Sequence, residues 1–259
     1  MDYSTIKRHI ANWLTNYCDQ AGSKGFVIGI SGGIDSAVTS TLCALTHRKV
    51  VLVNMPIRQS ENEYNRAIEH IKDLQVKFPN VLAHEVQLSG VFSEFESVLP
   101  QETALNQLAM ANTRARIRMT TLYAIAQSEN CLVVGTGNKI EDFGIGFFTK
   151  YGDGGVDLSP IADLMKSQVY SLGKELGVVS SIQHAAPTDG LWGDNRTDED
   201  QIGATYAELE WAMEFNGEIE ALNDRQKMVI ELYHRLNRIN KHKMVPIPVC
   251  IIPDELKTI

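Results

Sequence analysis

Close cysteine pairs, long apolar runs and a surplus of positive charge are all missing from this 259-residue chain. The four cysteines, Cys18, Cys43, Cys131 and Cys250, stand far apart with no CxxC pair, which argues against a zinc or iron–sulfur site built from neighbouring thiolates. They read instead as reduced small hydrophobes of a cytoplasmic protein. Lys and Arg number 24 against 32 Asp and Glu, and the net charge of -8 argues against a broad electrostatic grip on nucleic acid. Residues 1–10 carry Asp2, Lys7 and Arg8 in an amphipathic pattern, so they read as neither a signal peptide nor a membrane anchor. No internal repeat and no low-complexity segment interrupts the chain.

What is present is a large apolar fraction, 44% of residues, enough to bury a sizeable core. Ile6, Ile10, Trp13, Leu14 and Tyr17 fall at helical spacing, and Gly22 suits a left-handed cap, so the chain opens with an amphipathic helix over 2–21. Short apolar runs at 26–30, 50–54, 81–88 and 131–134 read as buried strands, with helical patterns over 36–46, 60–78 and 105–127 between them, the last with Leu108, Ala111, Ala115, Met119, Leu122 and Ala126 at core-like spacing. Such alternation predicts right-handed βαβ units and a parallel sheet flanked by helices, an α/β fold in a single domain. A short fifth strand is predicted at 156–158 and a long binding loop over 135–160, where glycines cluster and periodicity vanishes. Further on come a helix at 166–176, a polar loop over 187–200, helices over 204–215 and 218–237, and a proline-bearing tail from Val245. The chain 1–259 thus divides into the opening helix, an α/β core over 22–180 and a helical part over 181–259.

The densest chemical signal is Gly29-Ile30-Ser31-Gly32-Gly33-Ile34-Asp35-Ser36 at the end of the first strand. Paired glycines let the backbone turn tightly and aim N–H groups at an anion, and the helix that follows adds its positive N-terminus. Neither the Gly-Lys-Ser/Thr of the common P-loop nor the GxGxxG of dinucleotide folds is there. A plain glycine turn ahead of a helix would not require Asp35 and two serines, which suit a cation and a phosphate.

The SGGxDS pattern resembles the pyrophosphate loop of the ATP pyrophosphatase superfamily, which cleaves ATP between the α and β phosphates. The second half of the chain narrows the resemblance to the NAD synthetase family. The matching residues are Gly135-Thr136-Gly137-Asn138-Lys139-Ile140-Glu141, the run Gly146-Phe147-Phe148-Thr149-Lys150-Tyr151-Gly152-Asp153-Gly154-Gly155-Val156-Asp157-Leu158, and Lys166. Arg116 and Arg118, Pro187-Thr188, the acidic stretch 197–200 and His242-Lys243 extend the match, which runs from about Phe26 to His242. Two departures stand out. Glu141 is followed by one residue more than in some relatives before Gly146, and Gln201 stands where relatives often carry an acid.

The resemblance implies a Rossmann-like fold of the adenine nucleotide α-hydrolase kind and a ligase that amidates deamido-NAD with ammonia through an adenylated carboxylate. It implies that Gly29, Ile30, Ser31, Gly32, Gly33, Ile34, Asp35 and Ser36, with Thr136, Lys166 and Thr188, hold ATP, and that Asp35 and Glu141 bind magnesium. Lys166 is the residue implied to neutralise the α phosphate, against the bland reading of a solvated lysine at a helix start. Arg116, Lys150, Asp157, His242 and Lys243 are implied to hold deamido-NAD. Asp153 either accepts a proton from ammonium or merely shapes its glycine turn. Neither a leading active-site cysteine nor room for a glutaminase domain is found, so free or delivered ammonia is the expected nitrogen donor. A homodimer is the expected assembly, with no nucleic-acid or membrane partner. Two rivals stay open: another amidotransferase or ligase of the same superfamily, such as one like GMP synthetase, and a catalytically silent nucleotide-binding module.

Overall fold

In the computed structural model, which describes residues 1–188 and 197–257, the four strands β1 (Gly25–Gly29), β2 (Lys49–Asn54), β3 (Val81–Glu85) and β4 (Cys131–Val133) form one parallel sheet in the order β3-β2-β1-β4. The sheet is covered on both faces, as parallel sheets must be to bury alternate side chains. Phe26 and Ile28 of β1 and Val50 and Leu52 of β2 face α1 (Tyr3–Gln20), α2 (Ile34–Ala44) and α3 (Glu61–Lys77). Val27, Val51, Val53 and Val133 point the other way, onto Phe92 of α4 (Ser89–Ser97) and Met110 and Ala126 of a long helix. A short turn of helix, α5 (Gln101–Ala104), leads into that long helix, α6 (Gln107–Glu129). Asn106 caps α6 at the start, and Asn130, at φ 52°, ends it in the left-handed conformation.

The predicted fifth strand is not formed. Val134 and Leu158 make a single parallel bridge in its place. The predicted irregular loop over 135–160 contains a π-helix, Ile140–Ile145. After it, α7 (Lys166–Glu175) returns to pack on α2, and α8 (Ser180–Gln183) closes the first core. The last lobe holds α9 (Asp198–Ile202), α10 (Tyr206–Glu214) and α11 (Asp224–Met244), which bury Leu209, Val229 and Tyr233 against Ile140 and Ile145 of the π-helix. α11 runs well past the predicted end at 237, and its last turn carries Lys241, His242 and Lys243, where positive charge suits the helix dipole. Of the polar loop predicted over 187–200, residues 189–196 lie outside the described residues.

Leu108 departs from its predicted core role: Ala111, Ala115 and Ala126 on α6 are buried as expected, but Leu108 is 60% exposed. Leu105, just ahead of α6, is exposed too, so apolar side chains at the start of this helix face outward. Cys18, Cys43 and Cys131 are buried free thiols and Cys250 is exposed. No helix among the described residues is long and apolar enough to cross a membrane.

Candidate active site

The strand order puts β4 beside β1 although β2 and β3 intervene in sequence. The connection after β1 runs toward β2 and the one after β4 runs the other way, which leaves a crevice at their C-terminal ends, the usual ligand position in an open parallel sheet. A cavity of about 710 Å³ opens there, lined from one side by 29–31 and 33–36 and from the other by 134–137. The two glycine-bearing segments found in the sequence are therefore neighbours in space.

On the β1 side the loop folds on itself through its own hydroxyls. Ser36 Oγ lies 3.1 Å from Ser31 Oγ, the Ser31 N–H donates to Ser36 Oγ at 3.3 Å, and the Gly33 N–H donates to Ser31 Oγ at 3.2 Å. Gly32 sits at φ +84°, and a Cβ there would meet the Glu63 carbonyl oxygen at 2.5 Å, so only glycine fits both the turn and the close approach. Gly33 is the N-cap of α2 and makes no side-chain cap bond, so the first turn of the helix faces the cavity with backbone donors. Thr136 and Thr188 line the same space.

Lys166 opens α7 and points into the cavity. It is 4% exposed, so the solvated-lysine reading does not hold. Its Nζ donates to Asp35 Oδ2 at 2.6 Å and to Glu141 Oε1 at 2.9 Å, and it lies 4.6 Å from the centre of the Tyr206 ring. Asn138 Nδ2 steadies the other oxygen of Asp35 at 3.2 Å. The Tyr206 hydroxyl donates to Glu141 Oε1 at 2.6 Å and also approaches Asp198 Oδ2 at 3.2 Å. Burial works against the charge on Lys166, but the two carboxylates outweigh it and raise its pKa. Burial raises Asp35 in spite of Lys166, whereas in Glu141 the ammonium and the tyrosine hydroxyl overcome burial and lower the pKa. Two acids thus share one lysine, a net negative spot. Its oxygen donors are those magnesium prefers, and two carboxylates completed by substrate phosphates are a common way to hold that ion. The described residues contain no cluster of three or more His, Cys, Asp or Glu side chains that could hold a metal ion by themselves.

Glu141 is carried by the π-helix, the segment where the sequence comparison expects a one-residue departure. A π-turn absorbs one inserted residue without shifting the helices around it. The carbonyls it leaves are taken by α11: Asn237 Nδ2 donates to Gly144 O at 2.7 Å and Asn240 Nδ2 to Ile145 O at 2.8 Å. Asp142, next to Glu141, also lines the cavity, and burial followed by repulsion from Glu141, Asp153 and Asp35 pushes its pKa up to about 8. Its carboxylate lies over Gly137, where a Cβ would meet it at 2.1 Å.

Across the cavity, Arg116 Nη2 donates to the Lys150 carbonyl at 3.3 Å, Lys150 Nζ to the His242 carbonyl at 2.7 Å, and Lys243 Nζ to the Phe148 carbonyl at 2.7 Å. Burial lowers the pKa of Lys243, which also stands over the Phe148 ring. Arg116, Lys150, His242 and Lys243 all line the cavity. Asp153 is open to the same space and accepts the Thr149 N–H at 3.0 Å, while the protein around it raises its pKa. Asp157 stands apart. Its two oxygens accept the Val133 N–H at 2.8 Å and the Tyr123 hydroxyl at 3.0 Å, which pins the segment to the end of β4, and it is not among the cavity-lining residues.

Sequence reasoning missed Tyr206, Asp198, Asp142 and Asn237 as site supports. For Asp142 a signal existed in the one-residue departure. For Tyr206 none did, because an aromatic residue near a helix start reads as core.

Comparison with known proteins agrees with this geometry. The family model described as NAD synthase matches residues 6–246. An NH(3)-dependent NAD(+) synthetase of Mesoplasma florum is 38% identical over 94% of this chain and 95% of its own length, and one of Alkaliphilus metalliredigens is 36% identical over 96% and 99%. The solved structure of an NMN synthetase from Francisella tularensis superposes with a TM-score of 0.85 at 31% identity, covering 98% of this chain and 99% of that one. With a glycine loop, a lysine bridging two acids and a cationic wall gathered at one switch point, and with matches of this extent, the chain belongs to the NAD synthase family.

Proposed function

We propose that this protein is an ammonia-dependent NAD synthetase that couples cleavage of ATP to amidation of the nicotinate carboxylate of deamido-NAD. A carboxylate resists ammonia because oxide is a poor leaving group. Transfer of AMP to one carboxylate oxygen, with release of pyrophosphate, turns that oxygen into a good one. Ammonia then attacks the carbonyl carbon, loses a proton and expels AMP, so the products are NAD, AMP and pyrophosphate.

Each part of the cavity suits one of these demands. The 29–36 loop and the first turn of α2 offer donors to the phosphates, and Thr136 and Thr188 stand beside them for the nucleotide. Lys166 suits the task of neutralising the α phosphate as charge builds on it. Asp35 and Glu141 would hold magnesium, whose positive charge would offset the negative charge of the phosphates. Arg116, Lys150, His242 and Lys243 form a wall suited to a substrate with a pyrophosphate and a carboxylate. Asp153, open to the cavity with a raised pKa, is suited to take a proton from ammonium and leave ammonia as the nucleophile. The observation that carries this reading is the convergence of Lys166, Asp35 and Glu141 beside the glycine loop. We infer that the enzyme acts in the cytoplasm as a homodimer; the exposed Phe95, Val98, Leu105 and Leu108 on α4 to α6 supply an apolar face for the contact.

The extent of the match to the Francisella tularensis structure favours one second reading, in which nicotinate mononucleotide is the acid amidated. Purified protein with ATP, magnesium and ammonium, offered deamido-NAD, nicotinate mononucleotide or XMP in turn, separates the possibilities. NAD formed with the highest kcat/KM from deamido-NAD supports the first reading. Preference for the mononucleotide replaces it with the second, and turnover of XMP alone removes both.

A further inference from the structure

We propose that Arg66 is a positioning residue for the phosphate loop: its guanidinium holds the Gly32 carbonyl toward α3 and so keeps the loop amides turned toward the pyrophosphate part of ATP. The proposal rests on reading 29–36 as the ATP phosphate site.

The N–H and C=O of one trans peptide point in opposite directions, so pinning a carbonyl on one side aims the next residue's amide to the other. Two successive carbonyls of the loop are pinned this way. Gln59 Nε2 donates to the Ser31 carbonyl at 3.1 Å, and Arg66 Nε donates to the Gly32 carbonyl at 3.1 Å. The backbone of α3 closes the remaining gap, since a Cβ on Gly32 would lie 2.5 Å from Glu63 O and 3.2 Å from Ala67 N. The amides that follow these two carbonyls belong to Gly32 and Gly33, the pair on which an anion nest depends, and the Gly33 N–H already points to the inner side of the loop, where it meets Ser31 Oγ at 3.2 Å.

Glycine makes such a pin necessary. Gly32 at φ +84° has many other conformations available to it, and each would rotate the adjoining peptides and scatter their donors. The hydroxyls of Ser31 and Ser36 fix the inner side of the loop, and Gln59 and α3 fix its outer side. Arg66 reaches the loop at the Gly32 carbonyl, so its effect on a phosphate passes through the loop backbone. A charged donor also draws electron density toward the Gly32 oxygen, which makes the Gly33 N–H a stronger donor.

Titration calorimetry of the full chain with pyrophosphate, and then with magnesium and ATP, tests this with R66M and R66K. R66M should raise the Kd of pyrophosphate and the KM of ATP about tenfold, the scale of one lost charged hydrogen bond, while the Kd of the acid substrate stays within twofold. R66K, which restores a charged donor, should return both values to within about threefold of wild type. R66A replaces R66M if the latter does not fold. Pyrophosphate binding within twofold of wild type in R66M overturns the proposal, and so does an equal loss of both substrates together with a lowered Tm, which marks a merely structural arginine. Wild-type protein that binds pyrophosphate but makes no amide would sink the proposed function and leave the Arg66 comparison valid. Wild-type protein that fails to bind pyrophosphate overturns both.

Discussion

Lys166 shows how much a single side chain carries here. A buried ammonium between two carboxylates is stabilising only while all three charges are present, since removing one partner leaves uncompensated charge out of water. In the proposed reaction the same group faces the α phosphate, so Lys166→Met should lower the rate of AMP formation about 10²- to 10³-fold, the cost usual for one electrostatic donor. Single-turnover measurement of pyrophosphate release checks this, and a loss below tenfold would remove Lys166 from the chemistry. His70 makes a different prediction, about stability. It is fully buried with Nε2 2.8 Å from Ser40 Oγ, and burial lowers its pKa from 6.5 to about 4. Between those values the unfolded chain binds a proton that the folded one does not. Stability is therefore intact above pH 6.5 and falls as the pH drops toward 4, by about 3 kcal/mol at ~1.4 kcal/mol per unit. Urea unfolding at pH 7 and pH 4.5 should show that His70→Gln has a shallower acid loss than wild type; parallel curves would contradict it.

Among the elements, the π-helix Ile140–Ile145 is the one that ties the active site to the helical lobe. Its freed carbonyls at Gly144 and Ile145 are met by Asn237 and Asn240, on the same helix whose last turn carries His242 and Lys243. Losing such a donor leaves a buried carbonyl unsatisfied, at about 1–3 kcal/mol. Asn237→Ala should thus lower stability by that amount and also raise the KM for the acid substrate, because both ends of the lobe shift together. Thermal melting paired with steady-state kinetics checks this, and a lowered Tm with unchanged KM would show the two to be uncoupled. Strands were legible in the sequence because β1, β2 and β4 are buried on both faces and read as continuous apolar runs. Glu141 and Lys166 were legible through motif residues, but the π-turn between the motif segments was not, because a helix held by side chains from another helix leaves no periodicity of its own. Asp157 lies inside the motif as well, and its oxygens are taken up by Val133 and Tyr123. Leu108 read as core because helical spacing reports which face is apolar, and not whether anything covers it.

At the scale of the whole molecule, the order β3-β2-β1-β4 explains why segments about 100 residues apart meet: the switch between β1 and β4 is the place where a parallel sheet leaves room for a nucleotide. The uncovered apolar face of α4 to α6 lies along the same helix that lines the cavity with Ala111, Ala115 and Arg116. If two copies meet there, Leu105→Glu combined with Leu108→Glu should give a monomer in sedimentation velocity where wild type gives a dimer; wild type sedimenting as a monomer would contradict the proposed assembly. Everything proposed for catalysis depends on one event, the transfer of AMP onto an oxygen of the nicotinate carboxylate. Deamido-NAD carrying ¹⁸O in that carboxylate, turned over with ATP, magnesium and ammonium, reports it by mass spectrometry of the products. One ¹⁸O atom should appear in AMP for each NAD formed; label in orthophosphate with ADP as coproduct, or AMP without label, would contradict it.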